Sequence, residues 1–240
     1  MKKTLLIILF FLQTYLLFSQ GSRPVVLISG RVLNERNMQP VDAEVRIIYE
    51  ILPEGKEAGI ARQNPLNGDY KIILPYGKKY AYFALAEGYY SVTRNLDVVN
   101  LTEYTEIDEQ NLFLAPLKID QVSILNSIFF KGRTSEMLTE SYPELNRFFQ
   151  FLKTNKKIEI ELSGHTDNEG KAEENLKISK ERAQKVADYL IKKGIKETRI
   201  TIKGYGQTCP ITFNSDPEGK KRNNRIEFKI TSLTKTKKKK

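Results

Sequence analysis

The chain has 240 residues, enough for one or two domains, and its 40% hydrophobic and 28% charged content excludes a disordered chain and a multi-spanning membrane protein. The net charge of +10 does not point to nucleic acid: Lys2, Lys3, Lys235 and Lys237 to Lys240 supply seven of those charges, which leaves +3 for the body. With one cysteine, Cys209, no internal disulfide can form.

Residues 1–19, "MKKTLLIILFFLQTYLLFS", read as a signal peptide: a lysine pair, an apolar run, then small Ser19, with cleavage expected near Ser19–Gln20. The run from Thr4 to Phe18 is short for a spanning helix and is interrupted by Gln13 and Thr14. No cysteine follows it to carry a lipid. The expected product is exported to the periplasm. A retained N-terminal helix, making a membrane-anchored component, is the alternative. An ion-conducting role for such a helix is disfavoured because Thr4 to Phe18 holds no charged residue.

Residues 22–116 show short strands separated by turn signals and are expected to form an all-β sandwich. "AEVRIIYE" alternates Ala43, Val45, Ile47 and Tyr49 against Glu44, Arg46 and Glu50, with Ile48 alone breaking the polar side. "NGDYKIILP" opens on a turn at Asn67–Gly68 and stops at Pro75. "YAYFALAEGYY" supplies a further strand, and the aromatic group Tyr76, Tyr80, Tyr82, Phe83, Tyr89 and Tyr90 reads as packing rather than a sugar-stacking surface. The stretches "SGRVLNERNMQPVDAEVRI" and "NGDYKIILPYGKKYAYFALAEGYY" resemble the carboxypeptidase regulatory-like, transthyretin-like domains. That resemblance implies a sandwich and names no ligand.

After a linker at 117–122 the rhythm changes, and residues 123–231 are expected to form an α/β sandwich of order βαβαββ, followed by a basic tail at 232–240. "VSILNSIFF" reads as a strand and "SYPELNRFFQFLK" as an amphipathic helix with Pro143 near its start. "KIEIELSG" is a strand with Ile158, Ile160 and Leu162 on one face. A long helix from about Ala172 to Lys193 carries acids first, lysines last and Gly194 as its stop. Its buried face is expected at Leu176, Ala183, Val186, Ala187 and Leu190. "RITIKGYG" and "RIEFKI" supply the last strands.

On the long helix Asn175, Ser179 and Arg182 are spaced four and three apart and form one stripe. The loop carrying Asp167 lies just before it. An acid and an arginine so placed suit an amino-acid zwitterion, the acid taking an ammonium and the guanidinium a carboxylate. An internal Asp–Arg bridge closing the helix onto the loop fits the spacing equally well.

The stretches "GHTDNEGKAEENLKISKERAQKVADYLIKKGI", "RITIKGYGQTCPI" and "GKKRNNRIEF" resemble the OmpA-like C-terminal, peptidoglycan-binding domain family, over about Ser123 to Ile230. The resemblance implies that Asp167, Arg182 and Asn175 bind diaminopimelate of the peptidoglycan stem peptide. Gly164, His165, Thr166, Ser179 and Arg225 would support the site. Where the family pattern has "G-R…N-R-R", this chain has Gly219–Lys220 and Asn223–Asn224–Arg225. Two arginines are thus displaced, which bears on affinity more than on identity.

The only histidine, His165, lacks partners at metal-ligand spacing, so no metal site is expected. Alternate residues of one strand, Ser163, His165 and Asp167, stand about 6.6 Å apart per step and cannot close into a triad. No catalytic residue and no cofactor are expected. The function implied is a non-enzymatic, wall-binding envelope protein, associated with the cell wall or the inner face of the outer membrane. Its sandwich would meet another envelope protein, and no nucleic-acid partner is expected. The alternative is an accessory subunit of an envelope assembly for which wall binding only gives location.

Overall fold

A computed structural model describes residues 25–233, so the expected signal segment and nearly all of the expected basic tail lie outside the described residues. The first half contains β1 (Val25–Asn34), β2 (Arg46–Leu52), β3 (Lys56–Arg62), β4 (Asp69–Pro75), β5 (Lys79–Leu85), β6 (Tyr89–Ser91), β7 (Arg94–Asp97), β8 (Thr105–Ile107) and β9 (Leu112–Pro116). They make two sheets. One has the order β4-β1-β9-β6, with β8 also on β1; the other has the order β3-β2-β5-β7. Alternation in β4 buries Tyr70, Ile72 and Leu74 and exposes Ile73. Those inward residues meet Val26 and Ile28 of β1 and Ile47, Tyr80, Tyr82 and Ala84 of the second sheet in one core.

The strand β2 is buried on both faces. Ile47 points into the inter-sheet core, while Ile48 and Glu50, on the opposite face, are also nearly inaccessible. The cause is the C-terminal half, which covers the outer face of the second sheet. This explains why Ile48 breaks the polar side of its strand: that side does not face water.

The second half runs β10 (Val122–Leu125), α1 (Tyr142–Thr154), β11 (Ile158–His165), α2 (Ala172–Lys192), β12 (Ile200–Gly206), α3 (Pro217–Asn223) and β13 (Ile226–Leu233). The sheet order is β10-β13-β11-β12, with β11 and β12 parallel and the other pairs antiparallel. The crossover between the parallel pair is α2, as a parallel connection requires. Three expectations are corrected here. The order βαβαββ omits α3, whose start is marked by Asp216 accepting from the Gly219 amide at 2.7 Å and by Pro217 in the first turn. The strand read from "VSILNSIFF" ends at Leu125, where pairing with β13 stops; farther on, Ser141 Oγ accepts from the Phe129 N–H and donates to its carbonyl. Leu176 is 51% exposed, since the polar stripe of α2, not Leu176, faces the sheet.

Ala183, Val186, Ala187 and Leu190 of α2 pack with Leu145, Phe148, Phe151 and Leu152 of α1 and with Ile160, Leu162, Phe228 and Ile230 of the sheet. That core also takes in Ile48, Phe83 and Leu85 from the first half. Tyr90 meets Phe151 and Phe228 edge-on, both at 5.4 Å between ring centres. Arg147 of α1 pairs with buried Glu50 of β2 at 2.8 Å, and Asn155 accepts from the Gly88 amide at 2.7 Å. Residues 117–121 are pinned at both ends, Leu117 N to Gly88 O and Asp120 N to Ile230 O. None of the described helices is long and apolar enough to cross a membrane.

Candidate functional site

The loop after β11 and the N-terminal half of α2 lie together because the strands beneath are nearly bare. A Cβ on Gly164 would stand 1.9 Å from the Ser179 carbonyl oxygen, and one on Gly204 would meet Lys180 and Ser179 at 2.7 Å. With glycine at both positions, α2 rests directly on β11 and β12. Ser179, fully buried, donates to Leu176 O and accepts from the Gly206 amide at 2.9 Å, so the contact is hydrogen-bonded as well as close.

This brings Asp167 and Arg182 onto one cleft of about 930 Å³, beyond the carboxyl ends of the parallel strands. Its other walls include Phe129, Phe130 and Gly132 of the loop after β10, and Lys220 to Arg222 with Asn224 at the end of α3. Asp167 Oδ1 accepts from the Glu169 amide at 2.9 Å, and Oδ2 accepts from Asn224 Nδ2 at 2.6 Å. Arg182 donates from Nε to Thr134 O at 2.9 Å, from Nη2 to Gly132 O at 2.7 Å and from Nη1 to Asn224 Oδ1 at 3.3 Å. Its guanidinium lies 4.9 Å from the centre of the Phe130 ring. Burial pulls Arg182 below its ordinary pKa, and the Asp167 carboxylate pushes in the opposite direction; an arginine nevertheless stays charged.

Asp167 and Arg182 do not pair directly. Neither residue takes part in an ion pair with the other within 4 Å; the amide of Asn224 stands between them, donating to the acid and accepting from the base. Three of the five guanidinium N–H groups of Arg182 are donated to Thr134 O, Gly132 O and Asn224, which leaves one on each terminal nitrogen. Two parallel N–H groups are what a carboxylate accepts best.

Of the remaining residues expected at the site, Asn175 and Thr166 line an adjoining cavity of about 220 Å³ together with Asp167, Arg182 and Asn224, and Arg225 lines the larger cleft, whereas His165, Gly164 and Ser179 lie behind. Asn175 is fully buried: Nδ2 donates to Glu169 O, Gln207 Oε1 and Asp167 O, and Oδ1 accepts from Arg133 at 3.0 Å. It fixes the Asp167 loop rather than presenting a free polar atom. Thr166 donates to Asp167 O at 2.8 Å, and its amide to Gly206 O. His165 is 3% exposed, stacks on Tyr205 at 5.2 Å and has Nε2 3.5 Å from Glu227 Oε2. Arg225 donates to Glu227 at 2.6 Å and to Cys209 O at 3.0 Å. His165 first, and Arg225 second, hold the Glu227 carboxyl at about 2.

Sequence reasoning missed Phe130, Arg133 and the carbonyls of Gly132 and Thr134. Their one signal was the glycine in "FFKGRT", a loop immediately after the first strand of this half. Asn224 was visible only as a departure from a motif. Among the described residues no group of three His, Cys, Asp or Glu side chains is placed to hold a metal ion.

The OmpA family pattern matches residues 129–225. Peptidoglycan-binding protein ArfA of Mycobacterium tuberculosis is 34% identical over 103 residues, 43% of this chain and 32% of ArfA. Probable lipoprotein YiaD of Escherichia coli is 32% identical over 108 residues, 45% of this chain and 49% of that protein. The chain therefore spans between about a third and a half of the length of these relatives. The solved cell wall anchor of the T6SS from Pseudomonas aeruginosa is 31% identical, with a TM-score of 0.39 over 43% of this chain and 75% of that one. Residues 129–225, which supply Arg182, Asp167 and Asn224 alike, are an OmpA-like domain.

Proposed function

We propose that the cleft between β11, α2 and α3 binds the zwitterionic side-chain terminus of diaminopimelate in the peptidoglycan stem peptide, without catalysis. The observation that carries this reading is the acid and the arginine facing one cleft without neutralising each other. Arg182 grips the carboxylate through its two uncommitted N–H groups. Asp167, with two of its roughly four acceptor positions taken, receives the ammonium. Asn175 acts through the loop it braces. The similarity to ArfA, a peptidoglycan-binding protein, supports peptidoglycan as the ligand class.

The N-terminal half, read as a transthyretin-like sandwich, is then an interaction module held at the wall of an envelope compartment. One of its sheets is already covered by the OmpA-like half, so an envelope partner would meet the other sheet or the loops. Binding of this kind is ground-state recognition and needs no nucleophile or metal.

The test is co-sedimentation with purified sacculi. Asp167→Ala and Arg182→Ala should each lower the bound fraction at least about tenfold, since each removes a charge-assisted contact, while circular dichroism stays unchanged. Sedimentation equal to that of the unmodified protein for both variants would sink the assignment.

A further inference from the structure

The junction between the two halves is not filled throughout. Beside the shared core it leaves a cleft of about 750 Å³, within the roughly 300–1,000 Å³ range of small-molecule sites, which often lie where two units meet. Leu85, Leu117, Ile158 and Leu233 give the cleft an apolar lining drawn from both halves. Its walls are tied together by hydrogen bonds. Asn155 Oδ1 accepts from the Gly88 amide at 2.7 Å, Leu117 N donates to Gly88 O, and Arg199 donates to the carbonyls of Asn155 at 2.8 Å and Ile158 at 2.9 Å. None of the residues around it lines the cleft of Asp167 and Arg182.

The charges at this cleft leave one cation over. Glu44 is held by Arg62 at 2.6 Å, and Glu87 by Lys157 at 3.8 Å. Arg46, half-buried at the start of β2, has no acid within 4 Å among the described residues. Its side chain donates once, from Nη2 to Thr154 Oγ1 at 3.3 Å, which leaves four of its five N–H groups without a protein acceptor among the described residues. Directly across the strand pair from it stands Arg62, a like charge. The chain segment that follows Leu233 brings Lys235 and Lys237 to Lys240, more cations rather than the missing acid. A carboxylate is the group that the planar guanidinium fork takes best, through two parallel N–H donors. An alkyl body attached to that carboxylate would leave water by lying on the leucine and isoleucine side chains.

We propose that the junction cleft is a second ligand site, for an amphipathic monocarboxylate whose acid head pairs with Arg46 and whose unbranched alkyl body lies along Leu85, Leu117, Ile158 and Leu233. Binding there is non-covalent and independent of the peptidoglycan reading. Because both halves line the site, its occupant fastens the sandwich to the OmpA-like domain and raises the stability of the folded chain by mass action.

The experiment titrates the full chain with three probes that share one alkyl chain and differ in the head group: decanoate, decan-1-ol and decylammonium. Binding is followed by the methyl resonances of Leu85, Leu117, Ile158 and Leu233. Decanoate should move these resonances and bind about tenfold or more tighter than the alcohol, with the ammonium weakest. Arg46→Gln should bring decanoate to within about twofold of the alcohol while leaving the unfolding midpoint of the ligand-free protein unchanged. Equal affinity for decanoate and the alcohol would reduce the site to unspecific apolar binding and overturn the proposal. So would shifts confined to methyl groups elsewhere, a preference for decanoate that persists in Arg46→Gln, or no binding of decanoate below the concentration at which it forms micelles. The comparison of head groups needs no variant, so it decides even where Arg46→Gln fails to fold.

Discussion

Glu227 shows how one side chain ties the scaffold behind the cleft to pH. His165 and Arg225 hold its carboxyl at about 2, against an ordinary value of 4.5, and its side chain is 14% exposed. A carboxyl lowered on folding stabilises the folded state in full above about pH 4.5, and the contribution disappears as pH falls through about 2. The difference corresponds to about 3 kcal/mol. Glu227→Gln is therefore expected to lower unfolding free energy by about 2–3 kcal/mol at pH 7, with the two curves converging between pH 4.5 and pH 2. Denaturant titrations at four or five pH values check this; a gap independent of pH contradicts the ion-pair account. That Asp167 and Arg182 face one cleft was legible from sequence because a strand-end loop and the third turn of the following helix meet by local geometry. Asn224 was not. Its contact with Asp167 spans 57 positions and depends on α3, which no local period announces.

The elements around the cleft are placed by close approach as much as by apolar burial. Gly164→Ala would drive a methyl group into the backbone of α2 at Ser179, an atom that cannot rotate aside. The expected cost is about 1–3 kcal/mol, with loss of ligand binding in parallel, because the helix that carries Arg182 must lift from the strand that positions Asp167. Thermal unfolding of the variant checks it, and an unchanged midpoint would show that the helix–strand contact is looser than described. The same packing explains why the buried face of α2 was misplaced by one residue. Periodicity assigns apolar residues inward, but Asn175, Ser179 and Arg182 take the inward positions near the helix start because they have hydrogen-bond partners there. Leu176 consequently faces outward. Strand β2 is the converse case: Ile48 marked a second buried face, visible in the sequence as an exception to alternation.

Across the whole molecule the two halves share a core. Ile48, Phe83 and Leu85 join Phe148, Phe151 and Phe228, and the Arg147–Glu50 pair is buried between the halves. Breaking one partner of such a pair leaves an uncompensated buried charge, a cost of about 3–5 kcal/mol. The sequence rhythm changes near residue 117, between β9 and β10, and the first described α-helix starts at Tyr142. That change gives no sign that the halves are cemented, because contacts between units leave no period. Excising 123–240 would expose Phe148 and Phe151 to water, so the decisive binding measurement belongs to the full chain. That measurement is calorimetric titration of the intact protein with a stem peptide containing meso-diaminopimelate, against the corresponding lysine peptide, which lacks the second carboxylate. The account predicts binding of the first at least about tenfold tighter than the second, and loss of that difference in Arg182→Ala. Equal affinity for the two peptides, or a preference that persists without Arg182, would contradict it.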